Sequence, residues 1–263
     1  EYDSIAEGLK AGKSPIEVTG LAPIHKANLT AALAGQLHKQ AVVICADDLA
    51  CSRMARDLEA FSERPVEILP AREFVFHNIE SSSREYEHKR ISALRDLQLG
   101  KKTIVTTIPA LLMATMPPEK MQEAMFSIDF NGEYDIDELM QKLLLAGYRR
   151  CMQVEGEGQF SVRGGILDIF VPGEDYPVRI EFFDTEVDTM SYFDIGSQRR
   201  TRSLEKLLCV PNMEVLPTLA PDGIKGLVNK LTGIVLSRTN KHPDLDRNLR
   251  RDIERLNNDG IFP

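Results

Sequence analysis

The chain has 263 residues, of which 43% are hydrophobic and 27% charged, and its formal net charge is -8 at pH 7. A chain of this length buries roughly 70 to 75% of its unfolded surface, enough for one large domain or two smaller ones. No uninterrupted apolar run approaches the ~18 residues that span a bilayer, which excludes a membrane protein. The net negative charge disfavours a protein that wraps DNA by itself, because non-specific DNA affinity comes from Lys and Arg side chains that neutralise phosphates.

The amino-terminal residues and the cysteines indicate the cellular compartment. The first residues, EYDSIAEGLKAGKS, lack the basic-then-apolar order of a secretory signal, so we expect a cytoplasmic protein. The four cysteines are scattered, without a C-x-x-C pair or a nearby His at ligand spacing. We therefore expect reduced thiols and no metal site.

Strands and helices alternate over residues 1–118. The β-branched pair at 16 and 18 predicts a first strand, and the segments 41–48 and 65–70 predict two more. Segment 102–112 predicts a further strand followed by the start of a helix. Segments 49–63 and 81–100 have helical spacing, the second with Ser82 and Glu85 in a capping-box relation. This alternation predicts a parallel sheet with helices on its faces.

The loop between the first strand and its helix partly matches a phosphate-binding loop, G-x-x-x-x-G-K-[ST]. Gly20 and Lys26 stand in register, but His25 occupies the second glycine position and Ala27 the hydroxyl position. The pattern needs the glycine so that backbone N–H groups can approach phosphate, and the hydroxyl to hold Mg²⁺. We therefore predict a degenerate loop that binds no nucleotide.

Two acidic residues support the alternative interpretation, in which the loop belongs to a nucleotide-binding domain. Asp47 and Asp48 end a predicted strand, where an acid could hold Mg²⁺ opposite Lys26 in a nucleotide-binding domain. The favoured interpretation is that they cap the helix that follows.

Beyond Pro117 and Pro118 the pattern changes. One helix, starting after the candidate N-cap Asp135, precedes a strand-rich stretch with glycine-bearing turns, which predicts antiparallel hairpins. We predict an α+β domain over 119–206. Residues 207–263 contain a strand and two helices, near 220–232 and 243–258, and we expect the chain to be a piece of a longer protein.

Period-two alternation in PVRIEFF predicts which side chains are exposed. One face carries Val178, Ile180 and Phe182. The other carries Arg179, Glu181 and Phe183, and Arg163 joins that face from the preceding strand. Two arginines beside an exposed aromatic are typical of a protein-interface hot spot. The alternative is that Phe183 is buried and that the arginines pair with Glu181 and Asp168.

A basic cluster follows this stretch. Arg199, Arg200 and Arg202 stand out against the acidic composition of the chain. They could contact DNA, although a solvated rim is the commoner arrangement.

Residues 147–200 closely resemble the bacterial transcription-repair coupling factors, the Mfd family, in the module that these share with the excision-repair helicase UvrB. The resemblance is carried by GQFSVRGGILDIF, PVRIEFFDTEVD and FDIGSQRR in this order. It extends more weakly over most of the chain, through the degenerate loop, ILPAREF and IVTTIPALL.

The resemblance implies a degenerate helicase-like α/β domain that is discontinuous in sequence, 1–118 and 207–263, with the α+β domain inserted between its halves. In that family the inserted domain binds UvrA, the damage-recognition ATPase, and the matching positions here are Arg163, Arg179 and Phe183. It also implies a UvrB-mimicking module without catalysis or cofactor. ATP and Mg²⁺ would act only in absent motor domains, RNA polymerase and DNA would bind through other absent domains, and a carboxy-terminal domain would mask the UvrA surface.

Overall fold

The computed structural model describes residues 2–71, 85–237 and 243–259, and within these residues no helix is both long and apolar enough to cross a membrane. The Ser82 part of the predicted capping box lies outside the described residues.

Packing divides the chain into two compact units, 1–114 and 115–263. The sequence predicted that 207–263 belong to the first domain, whereas this division groups them with 115–206. The discontinuous arrangement stays a prediction.

The first unit is a parallel sheet between helices. In chain order its elements are α1 (Tyr2–Lys10), α2 (Pro23–Gln36), β1 (Val42–Cys45), α3 (Asp48–Phe61), β2 (Val66–Leu69), α4 (Glu85–Leu99), β3 (Thr103–Thr107) and α5 (Ile108–Leu111). The strand order is β1-β3-β2, with both pairings parallel. The predicted alternation of strands and helices is thus confirmed for these elements.

The two faces of this sheet pack against different helices, although Val42 and Ile44 of β1 remain exposed. Val105 of β3 packs in one cluster with Ala27 of α2 and Leu58 of α3, whereas its neighbour Ile104 packs with Ala93 of α4. Successive residues of a strand point to opposite faces, so the central strand β3 contributes to both layers. All five residues of β3 are buried, as expected for a parallel strand between two layers of helices.

The strand predicted at 16 and 18 is wrong. The described residues 13–19 form neither strand nor helix, and Val18 remains 39% exposed. Parallel strands are buried on both faces, and two β-branched residues around Glu17 supply too little apolar surface for that.

The second unit is richer in strands. In chain order its elements are α6 (Pro118–Ala124), β4 (Phe126–Asp129), α7 (Ile136–Leu145), β5 (Arg149–Arg150), β6 (Gln159–Arg163), β7 (Ile166–Ile169), β8 (Val178–Phe183), β9 (Glu186–Phe193), β10 (Arg200–Ser203), β11 (Lys206–Cys209), a short 3-10 helix (Pro217–Leu219), α8 (Gly223–Ser237) and α9 (Pro243–Asp259). Asp135 caps α7, and its carboxylate accepts from the N–H groups of Asp137 and Glu138, as predicted.

The strands form one large sheet and one small one. The large sheet has the order β10-β9-β8-β7-β6-β5, antiparallel throughout except for the parallel pair β5 and β6. The predicted antiparallel hairpins are therefore confirmed. Strand β4 pairs antiparallel with β11, which joins the beginning of the α+β region to its end.

Candidate functional site

The side chains of β8 alternate as the sequence predicts. Val178 and Ile180 are buried, and Arg179, Glu181 and Phe183 lie on the opposite face. Between Glu181 and Phe182 the partner on β9 changes from Thr189 to Val187, so the extra residue of this bulge belongs to β9. The backbone alternation along β8 is therefore kept up to its last residue, but Phe182 of the predicted core face is only half-buried.

Phe183 is the exposed end of this face. It is 77% exposed at the last position of β8, next to the turn at Asp184, whose φ is +57°. The predicted outward direction of the ring is thus what the structure shows. Its role as a contact for UvrA stays a prediction.

Asp168 organises the two arginines of the face. Its carboxylate accepts from Arg179 Nε at 2.7 Å and Nη2 at 2.8 Å, and from Arg163 Nη2 at 2.7 Å. Asp168 is only 2% exposed and lies directly opposite Arg179 in the register of β7 and β8. We call Arg163, Asp168 and Arg179 the arginine cluster. It carries two positive charges and one negative charge, so its net charge is positive.

Arg179 is held on several sides. Besides Asp168, its Nη2 donates to the side-chain oxygen of Gln198 at 3.0 Å, and its guanidinium lies 4.5 Å from the centre of the Phe193 ring. The hydrogen bonds to Asp168 raise the pKa of Arg179 above its usual value, so its charge is permanent. Its side chain is 14% exposed, whereas that of Arg163 is 50% exposed. Arg163 is therefore the more accessible cation.

The arginines pair with Asp168, as the alternative interpretation stated, but Glu181 pairs with Arg200. Sequence reasoning missed Gln198 as a partner of Arg179. Its position in the FDIGSQRR segment, which carries the family resemblance, was the available signal.

We expect replacement of Arg200 by Gln to raise the pKa of the Glu181 carboxyl. The hydrogen bond from Arg200 holds that pKa below its usual range, while burial acts in the opposite direction. A depressed folded pKa stabilises the protein above the unfolded pKa of about 4.3, and this contribution is lost as pH falls through the folded value. NMR titration of Glu181 in both proteins checks the shift. We expect only about 0.5 kcal/mol in stability, because both side chains are partly exposed.

The residues of the predicted degenerate loop lead directly into α2. Gly20 has a positive φ of +79°, but the N–H groups of His25 and Lys26 donate to the carbonyl of Ala22 as α2 begins. Ala27, at the hydroxyl position, is fully buried in the core between the sheet and α3. A methyl group thus fills the place where the pattern needs a Mg²⁺ ligand.

Asp47 is the N-cap of α3. Its carboxylate accepts from the N–H of Ala50 at 2.7 Å, and Asp48 is the first residue of the helix. The favoured interpretation of this acidic pair is confirmed for Asp47.

We expect Asp47→Ala to lower the free energy of unfolding by about 1 kcal/mol, because the N–H of Ala50 loses its partner. Asp47→Ser keeps a capping oxygen and should be close to wild type. Urea unfolding of both variants makes the comparison. A loss as large in the serine variant would contradict the capping role.

The basic cluster is largely engaged within the second unit. Arg200 pairs with Glu181, and the guanidinium of Arg202 lies 5.0 Å from the centre of the Tyr192 ring. Arg199 is exposed. Two of the three cations are therefore already committed to contacts inside the fold.

A cleft of about 310 Å³ lies close to the exposed face. It is bordered by Gly164 of the β6–β7 turn, by Asp184 and Thr185 of the β8–β9 turn, and by the start of α7. Asp135, Asp137 and Asp184 give its lining a negative character, which disfavours phosphate.

Comparison with known proteins identifies similar sequences. Residues 126–214 match the UvrB interaction domain family, a range that starts with β4 and ends just after its partner β11. Over 264 residues the chain is 29% identical to the transcription-repair-coupling factor of Bacillus subtilis (strain 168), covering 97% of this chain and 22% of that protein. The chain is homologous to part of the transcription-repair-coupling factors.

Two further transcription-repair-coupling factors also match this chain. The transcription-repair-coupling factor of Staphylococcus aureus (strain Mu50) is 28% identical over 92% of this chain and 20% of its own length. That of Haemophilus influenzae (strain Rd) is 33% identical over 66% of this chain and 15% of its own length. The resemblance predicted from the sequence is confirmed. The chain spans about a fifth of these relatives' length.

Proposed function

We propose that this chain is a non-catalytic recruitment module that binds UvrA through the face of the large sheet bearing Arg163, Arg179 and Phe183. The observation that carries the proposal is the exposure of Phe183 on the same face of the large sheet as the arginine cluster. All three residues fall inside the range that matches the UvrB interaction domain. An exposed aromatic beside guanidinium groups is the composition that dominates binding energy in protein interfaces.

The chemistry of the face suits an acidic, partly apolar partner surface. Arg163 is half exposed and can donate charge-assisted hydrogen bonds to a carboxylate. Burial of Phe183 in a partner pocket would contribute roughly 1.5 to 3 kcal/mol. Because Asp168 already fixes both guanidinium groups, little side-chain entropy is lost when the partner binds.

Absence of catalysis is part of the proposal. The buried methyl of Ala27 and the helix-bonded N–H groups of His25 and Lys26 argue against nucleotide binding in the first unit. We propose that this unit is a degenerate helicase-like domain and that the chain needs no cofactor or metal. ATP-driven motion, and contacts with RNA polymerase and DNA, would belong to other parts of a longer cytoplasmic protein, whose carboxy-terminal domain would mask the UvrA surface.

Calorimetric titration of the chain with purified UvrA tests the proposal. We expect saturable binding that weakens at high salt, because the arginine cluster takes part. Heats equal to those of dilution over the micromolar range would contradict it. A parallel titration with Mg-ATP examines the rival nucleotide-binding function, and micromolar binding there would favour that rival. A gel shift with duplex DNA examines direct DNA binding in the same way.

A further inference from the structure

Met152 is a large apolar side chain displayed almost completely to solvent. At 94% exposure it is the most exposed of the large hydrophobic residues in the part of the chain that the structure describes. Single exposed apolar side chains are common on protein surfaces, so exposure alone does not indicate a binding role. The position of Met152 relative to the arginine cluster does indicate one.

The backbone of Met152 is fixed over the face that carries the arginine cluster. Ser161 and Arg163 are two residues apart on β6 and therefore point to the same side of the sheet. Ser161 Oγ donates to the carbonyl of Met152 at 2.9 Å, so this loop lies on the same side. The N–H of Cys151 also donates to the carbonyl of Phe160 at 2.9 Å. Met152 thus extends from a backbone that is hydrogen-bonded to β6.

Met152 and Phe183 lie at different edges of the arginine cluster, Met152 beyond β6 on the β5 side and Phe183 further along β8. Ser161, Asp168 and Arg179 are aligned across β6, β7 and β8. Phe183 lies two strands from Ser161 and four residues further along, which places it about 16 Å from the attachment point of Met152. A standard interface covers about 800 Å² per partner, roughly 32 Å across, so one partner can cover both side chains.

We infer that Met152 is a second apolar anchor of the docking surface, at a different edge of the arginine cluster from Phe183. The inference rests on the proposed function and specifies the partner's chemistry. The partner surface carries an acidic group for the cluster and two separate apolar contacts, one for the ring and one for the thioether. A flexible thioether suits the second contact, because methionine adapts to irregular apolar surfaces.

Calorimetric titration of UvrA with four proteins tests the inference. These are the wild type, Phe183→Ala, Met152→Gln and the control Leu112→Gln. Leu112 is 82% exposed and lies outside the range that matches the UvrB interaction domain. Met152→Gln keeps the size of the side chain and should not alter the urea midpoint. We expect it to weaken UvrA binding about tenfold, while the control changes affinity less than twofold.

The outcomes separate this inference from the function on which it rests. If Phe183→Ala loses affinity while Met152→Gln stays within twofold of wild type, the second anchor is overturned and the proposed function stands. If the wild type does not bind UvrA, both are overturned. An equal loss in Leu112→Gln would also overturn the inference, because the effect would then not depend on the position beside the cluster.

Discussion

Replacement of Asp168 by Asn is expected to lower the free energy of unfolding by about 3 to 5 kcal/mol. The variant keeps the shape of the side chain but removes the charge that compensates Arg179, whose side chain is only 14% exposed. Breaking a buried pair by removing one partner leaves an unpaired buried charge, which costs about this much. Urea unfolding, followed by circular dichroism, measures the difference.

Two further variants give this measurement its controls. Asp188→Asn removes a carboxylate that is exposed at the bulge of β9, and we expect a change within about 0.5 kcal/mol. Arg163→Ala removes the half-exposed member of the arginine cluster and leaves both bonds from Arg179, so we expect a loss of about 1 kcal/mol or less. Equal unfolding midpoints for the three variants would contradict a central role of Asp168.

The same geometry decides which side chain is a useful probe of docking. A change at Arg179 would disturb the buried pair with Asp168, so a loss of binding would be confused with a loss of folding. Phe183, at 77% exposure, contributes little to the core. It is therefore the position at which affinity can change without stability.

Phe183→Ala is expected to weaken UvrA binding by about 2 kcal/mol or more, roughly 30-fold, with an unchanged unfolding midpoint. The ring supplies most of the exposed apolar surface at the end of β8, and its truncation removes that surface from the interface. Tyr86→Ala is the matched control, because this aromatic is 50% exposed and lies outside the matched range. An affinity for Phe183→Ala within twofold of wild type would contradict the role of the ring.

The sequence predicted the sheet face on which a side chain lies better than it predicted which charged side chains pair with each other. Alternation of apolar and polar residues places Arg179 and Phe183 on one face of β8, because a strand has a period of two. It does not specify which carboxylate meets Arg179. That choice depends on the register of β7 against β8, which places Asp168 opposite Arg179 and Ile166 opposite Glu181. Register is fixed by the turn and by tertiary packing.

In the first unit the sequence predicted the strands but not their order in the sheet. Runs such as VVIC and TIVTT predicted strands because their β-branched residues can be buried in a sheet. The order β1-β3-β2 is not contained in any of these runs, since β3 enters between two earlier strands. The false strand at Ile16 and Val18 has the right residue types, but Ile16 packs against Gly8 of α1 and Val18 remains exposed.

Photo-crosslinking with p-benzoylphenylalanine in place of Phe183 tests the central claim most directly. The modified residue keeps an aromatic ring at the position proposed to enter a UvrA pocket. We predict that irradiation of the mixture forms a covalent adduct with UvrA, and that the same group in place of Tyr86 forms none. A complex that forms without any adduct from position 183, or with equal yields from both positions, would contradict docking through this face.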